Sequence, residues 1–200
     1  PTPPTMVKHN SEFIFLVDCS VSMLGDSIQK ASECLDLFIH SIPPESYFNV
    51  YQFGTSFKKL FKQSEKYTDE TLNTGLQLAK SLQANLGGTD IYQPLCDIFA
   101  QENRHGQRQI FIMTDGEVND VSEILQLIKK NSTNNRCFTI GIGRGCDSGL
   151  VERMAKESNG KSDFVQEGDM ISEKVIPQLR DSIYSFFDSI EIHLEGEEND

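Results

Sequence analysis

Three stretches of this chain are apolar or nearly so: "FIFLV" at 13–17, "IFIM" at 110–113 and "CFTIGI" at 137–142, the last broken by Thr139 alone. A strand with one face in water alternates apolar and polar residues. An unbroken run is what a strand needs when both of its faces are covered. The intervening segments supply the covers. Ile28, Ala31, Leu35, Phe38, Ile39 and Ile42 recur at helical spacing and stop at Pro43 and Pro44. Strand and helix alternate throughout, which points to an α/β architecture with a mostly parallel sheet and helices on both faces.

The remaining elements follow from local pattern. "YFNVYQF", Tyr47–Phe53, is aromatic and β-branched and reads as a strand. Gly54, Thr55 and Ser56 form a turn, and "FKKLFK" returns as an antiparallel edge whose lysines protect it from further pairing. A helix is expected over 68–84, capped by Thr68 or Asp69, with Leu72, Leu76 and Ala79 inward. A short helix lies near 95–99. Others run around Val121, Ile124, Leu125 and Ile128, and through Leu150, Val151 and Met154. "KSDFVQ" is a weaker strand. The last helix is expected over 175–187, with Ile176, Leu179, Ile183 and Phe186 inward and Pro177 in its first turn.

The 200 residues suffice for one domain with a substantial core. Residues 1–11 read as a linker or edge, 12–187 as the domain, and 188–200 as an acidic tail or the start of a following segment. The net charge of −12 argues against nucleic acid or an anionic membrane surface as partner and is compatible with cations. No apolar run approaches the roughly 20 residues of a membrane span. The five cysteines show no C-x-x-C pair and no Cys/His cluster suited to zinc. Their odd number and apolar surroundings read as reduced, mostly buried thiols, which favours an intracellular compartment; an extracellular one stays open. Oligomeric state is not legible.

In an open α/β sheet, ligands bind outside the carboxyl ends of the strands. Three polar clusters fall there: Asp18-x-Ser20-x-Ser22, Gly87-Gly88-Thr89-Asp90 and Thr114-Asp115-Gly116-Glu117. In an extended segment, residues i, i+2 and i+4 share one side, so Asp18, Ser20 and Ser22 can aim their oxygens at one point. Thr89 adds a hydroxyl and Asp115 a second carboxylate. Five oxygen donors with two negative charges suit a hard divalent cation: Mg²⁺ first, then Mn²⁺, with Ca²⁺ behind them. Taken singly, Ser20 and Ser22 read as helix caps, Thr89 as a turn residue, Asp115-Gly116 as a tight turn, and Asp90 as the cap of the helix at Ile91.

These clusters resemble the metal-ion-dependent adhesion site of von Willebrand factor type A domains. Asp18, Ser20 and Ser22 match the family's D-x-S-x-S, Thr89 in "GGTD" its threonine, and Asp115 in "TDGE" its second aspartate. "YFNVYQFG", "LGGTDIYQPL", "IFIMTDGEV" and "CFTIGIG" are most similar to the branch with the inter-α-trypsin-inhibitor heavy chains and their intracellular relatives. The resemblance implies a doubly wound, Rossmann-like sheet with one antiparallel edge strand and no catalytic activity. It implies that Ser20, Ser22 and Thr89 hold a metal, that Asp18 and Asp115 often act through water, and that a glutamate or aspartate of a protein partner completes the coordination. Val21, Gly88, Asp90 and Glu117 would form the rim, and loops 23–26, 85–90 and 117–120 would set specificity. Val21 stands where the family often has glycine, and a β-branched residue tolerates positive φ poorly.

Two other readings stay open. One is a structural module with a weak or empty site. The other is a Mg²⁺-dependent hydrolase or phosphatase, which would usually need a second aspartate where Ser20 stands, and a catalytic lysine. "GIGRGCDSG" fails G-x-G-x-x-G, since Cys146 occupies the third glycine position, and no phosphate-loop motif occurs. There is no G-x-S-x-G elbow, and none of the four histidines falls on the polar edge.

Overall fold

The computed structural model describes residues 11–103, 105–116, 118 and 120–184. The expectations resting on 1–10, Glu117, Phe186 and 188–200 lie outside them. Within the described residues, strands β1 (Glu12–Asp18), β2 (Tyr47–Phe53), β3 (Phe57–Lys59), β4 (Glu65–Lys66), β5 (Arg108–Thr114), β6 (Asn135–Ile142) and β7 (Ser162–Val165) form one sheet. Its order is β3-β2-β1-β5-β6-β7, with β4 pairing β2 beyond β3. The pairs β1–β2, β1–β5, β5–β6 and β6–β7 are parallel, while β3 and β4 run antiparallel to β2.

The unbroken apolar runs have the cause their pattern implied. Alternate residues of the central strands feed two cores. Phe13, Phe15, Val17, Phe111 and Met113 join Phe38, Ile39, Val175 and Leu179 on one face. Ile14, Leu16, Ile110 and Ile112 join Leu95, Ile124, Ile128 and Met154 on the other. The first face is covered by α1 (Asp26–His40), α2 (Asp69–Lys80) and α6 (Ile171–Tyr184). The second is covered by α3 (Tyr92–Ala100), α4 (Val121–Lys130) and α5 (Ser148–Lys156). A line of rings crosses the first core: Phe15–Phe38 at 5.5 Å, Phe38–Phe111 at 4.5 Å and Phe111–Phe138 at 5.0 Å between centroids. Each such ring stabilises the fold by about 1.5–3 kcal/mol through burial.

Three expectations are corrected. The edge after β2 is two short pieces, because the Asn49 side chain stands in for the ladder between them. Its amide nitrogen donates to the Phe61 carbonyl at 2.9 Å, and its amide oxygen accepts the Phe61 N–H at 3.0 Å. Helix α2 ends at Lys80, so Ala84 is buried outside it. Its start does follow Thr68, whose hydroxyl accepts the Thr71 N–H while the Thr71 hydroxyl accepts the Thr68 N–H in return. Helix α6 begins at Ile171, so Pro177 lies in its interior, and Ile176 points outward at 42% exposure. Val175, Gln178, Leu179 and Ser182 form the buried face, with Ile183 packed against the core, so Leu179 and Ile183 point inward as expected and Ile176 does not.

Candidate functional site

Strands β1 and β5 are neighbours at the point where the chain winds outward in both directions. Their carboxyl ends therefore meet, and helices leave from them on opposite faces. Asp18 closes β1 and is fully buried. One of its oxygens accepts the Ser20 N–H at 2.9 Å, and the other accepts the Thr114 hydroxyl from β5 at 2.6 Å. The same Thr114 oxygen accepts the Gly116 N–H at 3.0 Å, tying both loops together. Burial pushes the Asp18 carboxyl above the usual carboxylate range, and the Asp115 charge adds to this against the pull of those hydrogen bonds. Among the described residues Asp18 has no ion pair with a basic side chain.

Ser20 and Ser22 converge, but not through the pleat. Ser20 is extended (φ −67°, ψ 167°), whereas Val21–Met23 is one turn of 3₁₀ helix. That turn brings the two hydroxyls to 2.9 Å. Neither side chain caps a helix: Ser20 stands at the start of the 3₁₀ turn without a side-chain cap bond, and the residue before α1 is Gly25, at φ 84°, with no side chain capping that end. Val21 is not among the described non-glycine residues with positive φ, which are Glu45, Asp120 and Asn159. Its β-branch is accommodated without strain.

The Gly87–Asp90 cluster is brought in by backbone bonds. Leu86 N–H donates to Cys19 O at 2.9 Å and Val21 N–H to Gly87 O at 2.8 Å. On the far side Thr55 N–H donates to Leu86 O at 2.7 Å, Asp90 N–H to Gly54 O at 2.8 Å, and Gly88 N–H to the Thr55 hydroxyl at 2.8 Å. Loop 86–90 is thus laced between the end of β1 and the turn after β2. This explains two glycines. A Cβ on Gly54 would lie 2.4 Å from the Leu86 carbonyl oxygen, and Gly87 has φ 80°. Gly54→Ala is expected to cost about 1–3 kcal/mol and to loosen loop 86–90, read as faster amide exchange at Leu86, Gly88 and Asp90 than at residues of β6.

Thr89 and Asp90 are half-buried and Gly88 is exposed. One Asp90 carboxylate oxygen accepts the Tyr92 and Gln93 N–H groups at 3.0 and 3.2 Å, so it caps the start of α3 as the single-residue reading expected. Asp115 is 7% exposed, and its carbonyl accepts the Asp147 N–H at 3.0 Å. Gly116 turns at φ 80°, with Asp147 where a Cβ would sit 3.1 Å away. Among the described residues no three His, Cys, Asp or Glu side chains form a metal cluster. The candidate set Asp18, Ser20, Ser22, Thr89 and Asp115 differs in kind, with two carboxylates and three hydroxyls. All of its donors are oxygens, which fits a hard divalent cation. The neighbouring Cys19 faces the core, and burial pushes its thiol up to about 12.

The family model of the von Willebrand factor type A domain matches residues 11–164. The chain belongs to this family. Among relatives of this von Willebrand factor type A domain, protein 5A of Mus musculus, itself named as containing such a domain, is 38% identical over 195 residues. That alignment covers 92% of this chain and 25% of the relative. A von Willebrand factor A domain-containing protein of Dictyostelium discoideum is 38% identical over 177 residues, covering 88% of this chain and 19% of that protein. The domain thus spans a quarter or less of these relatives. In solved structures the fold recurs in a von Willebrand factor type A protein from Catenulispora acidiphila. The TM-score is 0.76 at 17% identity, over 87% of this chain and 43% of that one. It recurs again in proximal thread matrix protein 1 of the mussel byssus, described with a zinc-occupied MIDAS motif. There the TM-score is 0.67 at 21% identity, over 85% of this chain and 47% of that one.

Sequence reasoning missed the contacts that hold the site together. Thr114 and Asp147 orient the two aspartate loops, and Gly54 and Thr55 dock the threonine loop. The "FGTS" turn was visible, but its partner loop lies about 30 residues further on. Of the described histidines, His105 stacks on Tyr47 with centroids 3.6 Å apart, and His40 meets Asp36. Among the described residues no helix is long and apolar enough to cross a membrane.

Proposed function

We propose that this von Willebrand factor type A domain is a non-enzymatic, adhesion-type interaction module whose Asp18, Ser20, Ser22, Thr89 and Asp115 hold one divalent cation, Mg²⁺ or Mn²⁺. The observation that carries the reading is the pairing of the Ser20 and Ser22 hydroxyls at 2.9 Å beside a buried aspartate that has no basic partner. A buried carboxylate is costly unless a positive charge compensates it. A cation there would meet that need, and Ser20 and Ser22 retain lone pairs to offer it. The zinc described in the MIDAS motif of the mussel protein supports the same assignment.

When bound, the cation supplies an electrophilic centre that takes a carboxylate oxygen from a protein partner. The chain's part is to hold the donors ready. The Ser20 N–H and the Thr114 hydroxyl orient Asp18, and the 3₁₀ turn presents Ser20 and Ser22. With three neutral hydroxyls among five donors, the cation's charge stays under-compensated, which favours an anionic partner. Val21, Gly88 and Asp90 form the rim in this reading, and Glu117 lies outside the described residues. The free thiols of Cys19, Cys34, Cys96, Cys137 and Cys146 support a reducing compartment.

Calorimetric titration with Mg²⁺ and Mn²⁺ tests this. The domain should bind, and Asp18→Ala should lose more than about 100-fold in affinity, since even outer partners of a metal site typically carry about 10–100-fold. Equal heats from both proteins would sink the assigned site. No heat from either would favour a structural module.

A further inference from the structure

The proposed cation site leaves open what kind of acidic segment it accepts, and its surroundings are of two chemical kinds. Next to Ser20 and Ser22 in the chain stand Val21 and Leu24, 53% and 62% exposed. Large exposed hydrophobics number four among the described residues, and these two lie within one turn of the candidate donors. The turn is 3₁₀, closed by Met23 N–H to Ser20 O and Leu24 N–H to Val21 O, each at 3.1 Å. In that geometry side chains at i and i+3 eclipse, so Val21 and Leu24 line up on one side. Met23, between them in sequence, is fully buried and anchors the turn. The Val21 N–H is also bonded to Gly87 O at 2.8 Å, so the apolar ledge stands on a backbone already fixed. A pre-ordered apolar surface costs little to engage.

Thr89 also borders a cleft of about 320 Å³ that Tyr92, Asp90, Asp120 and Glu123 help to line. Three of its eight lining residues are acids and none is basic, so a second acid on the ligand would be repelled there. Charge and apolarity therefore pick out the same occupant.

We infer that Val21 and Leu24 are specificity residues: the partner is a protein segment with a single Glu or Asp directly beside a Leu, Ile, Val or Phe, whose side chain lies on this ledge. The inference rests on the cation reading above. It excludes runs of acidic residues as the preferred ligand, although these would otherwise suit a bare cation best.

The test uses a displayed library of random heptapeptides with a fixed central Glu, selected on the domain in Mg²⁺. A parallel library with central Gln is the control. Apolar residues should be enriched next to Glu, and this enrichment should vanish on the Val21→Thr/Leu24→Ser double variant. The best peptide should bind the double variant about tenfold or more weakly, the amount expected for losing the burial of a few methyl groups. The Mg²⁺ heat of Leu24→Ser should stay within about twofold of the parent's, which a misfolded turn would not allow. Glu-dependent selection with no apolar neighbour, with acidic neighbours, or with a preference unchanged in the variant would overturn the ledge and leave the cation site standing. Retention of Gln peptides as well as Glu peptides would overturn both the partner carboxylate and the ledge.

Discussion

Arg108→Ala is expected to lower the unfolding free energy by about 3–5 kcal/mol, equivalent to a fall in Tm of roughly 6–20 °C for a domain of this size. Arg108 opens β5 directly opposite Glu12, which opens β1, and both side chains are almost fully buried. The guanidinium Nε donates to Glu12 Oε2 at 2.7 Å, Nη1 to the Ile98 carbonyl at 2.6 Å and Nη2 to the Gln101 carbonyl at 3.3 Å. One side chain thus neutralises a buried acid and satisfies the carbonyls at the end of α3. Alanine would leave that acid with the Ser64 hydroxyl as its remaining named donor, and would leave both carbonyls without this partner. Replacing both charges by apolar groups, as Glu12→Leu/Arg108→Met, should recover more than half of the loss. The remainder would reflect the carbonyls, at about 1–3 kcal/mol. Urea unfolding of the parent, the single variant and the pair checks this; a single-variant loss below about 1 kcal/mol would contradict it. The pair lies at the opposite end of the strands from Asp18. In the folded Arg108→Ala protein, any Mg²⁺ heat should therefore match the parent's.

Gly160→Ala should cost about 3 kcal/mol or more, at the top of the range for forced overpacking. A Cβ there would lie 1.8 Å from the Cys137 carbonyl oxygen and 2.7 Å from its carbon. Those atoms belong to β6, where Cys137 is held by β5 on one edge and donates its N–H to the Ser158 hydroxyl at 2.8 Å, so they cannot retreat. Nor can Gly160, whose N–H closes the end of α5 on the Ala155 carbonyl at 2.9 Å. The corner between α5 and β7 would have to lift off the sheet. Gly145→Ala is the matched control, since a Cβ there meets nothing within 4 Å, and it should change stability by less than about 0.5 kcal/mol. Comparable losses in the two variants, measured by thermal unfolding, would argue against a steric cause.

The candidate site was legible where chemistry sits at a strand's end. Asp18 and Asp115 each follow an unbroken apolar run, so their position on the sheet edge could be read before any contact was known. Ser22 meets Ser20 by a different route than the pattern suggested: the alternation implied a continuing pleat, and the chain instead makes a 3₁₀ turn. A turn of three residues leaves no periodicity to detect. Helix α6 misled for a related reason. "ISEK" carries too little apolar pattern to announce a start, and its burial comes from packing on α1 and β7.

Sequence by itself determined the α/β class, the two-sided burial of the central strands and the oxygen-rich character of their carboxyl ends. These are properties of segments, set by side-chain type and by periods of two and 3.6 residues. Tertiary structure alone decided the lacing of loop 86–90 to Cys19 and Gly54, the clasp of Thr114 on Asp18, the Asn49 stand-in at the sheet edge and the Glu12–Arg108 pair. Each joins residues that local periodicity cannot relate; the two cross-strand pairs are each 96 residues apart. Such contacts exist only once the strands have found their neighbours, because a hydrogen bond depends on distance in space and leaves no trace in local composition.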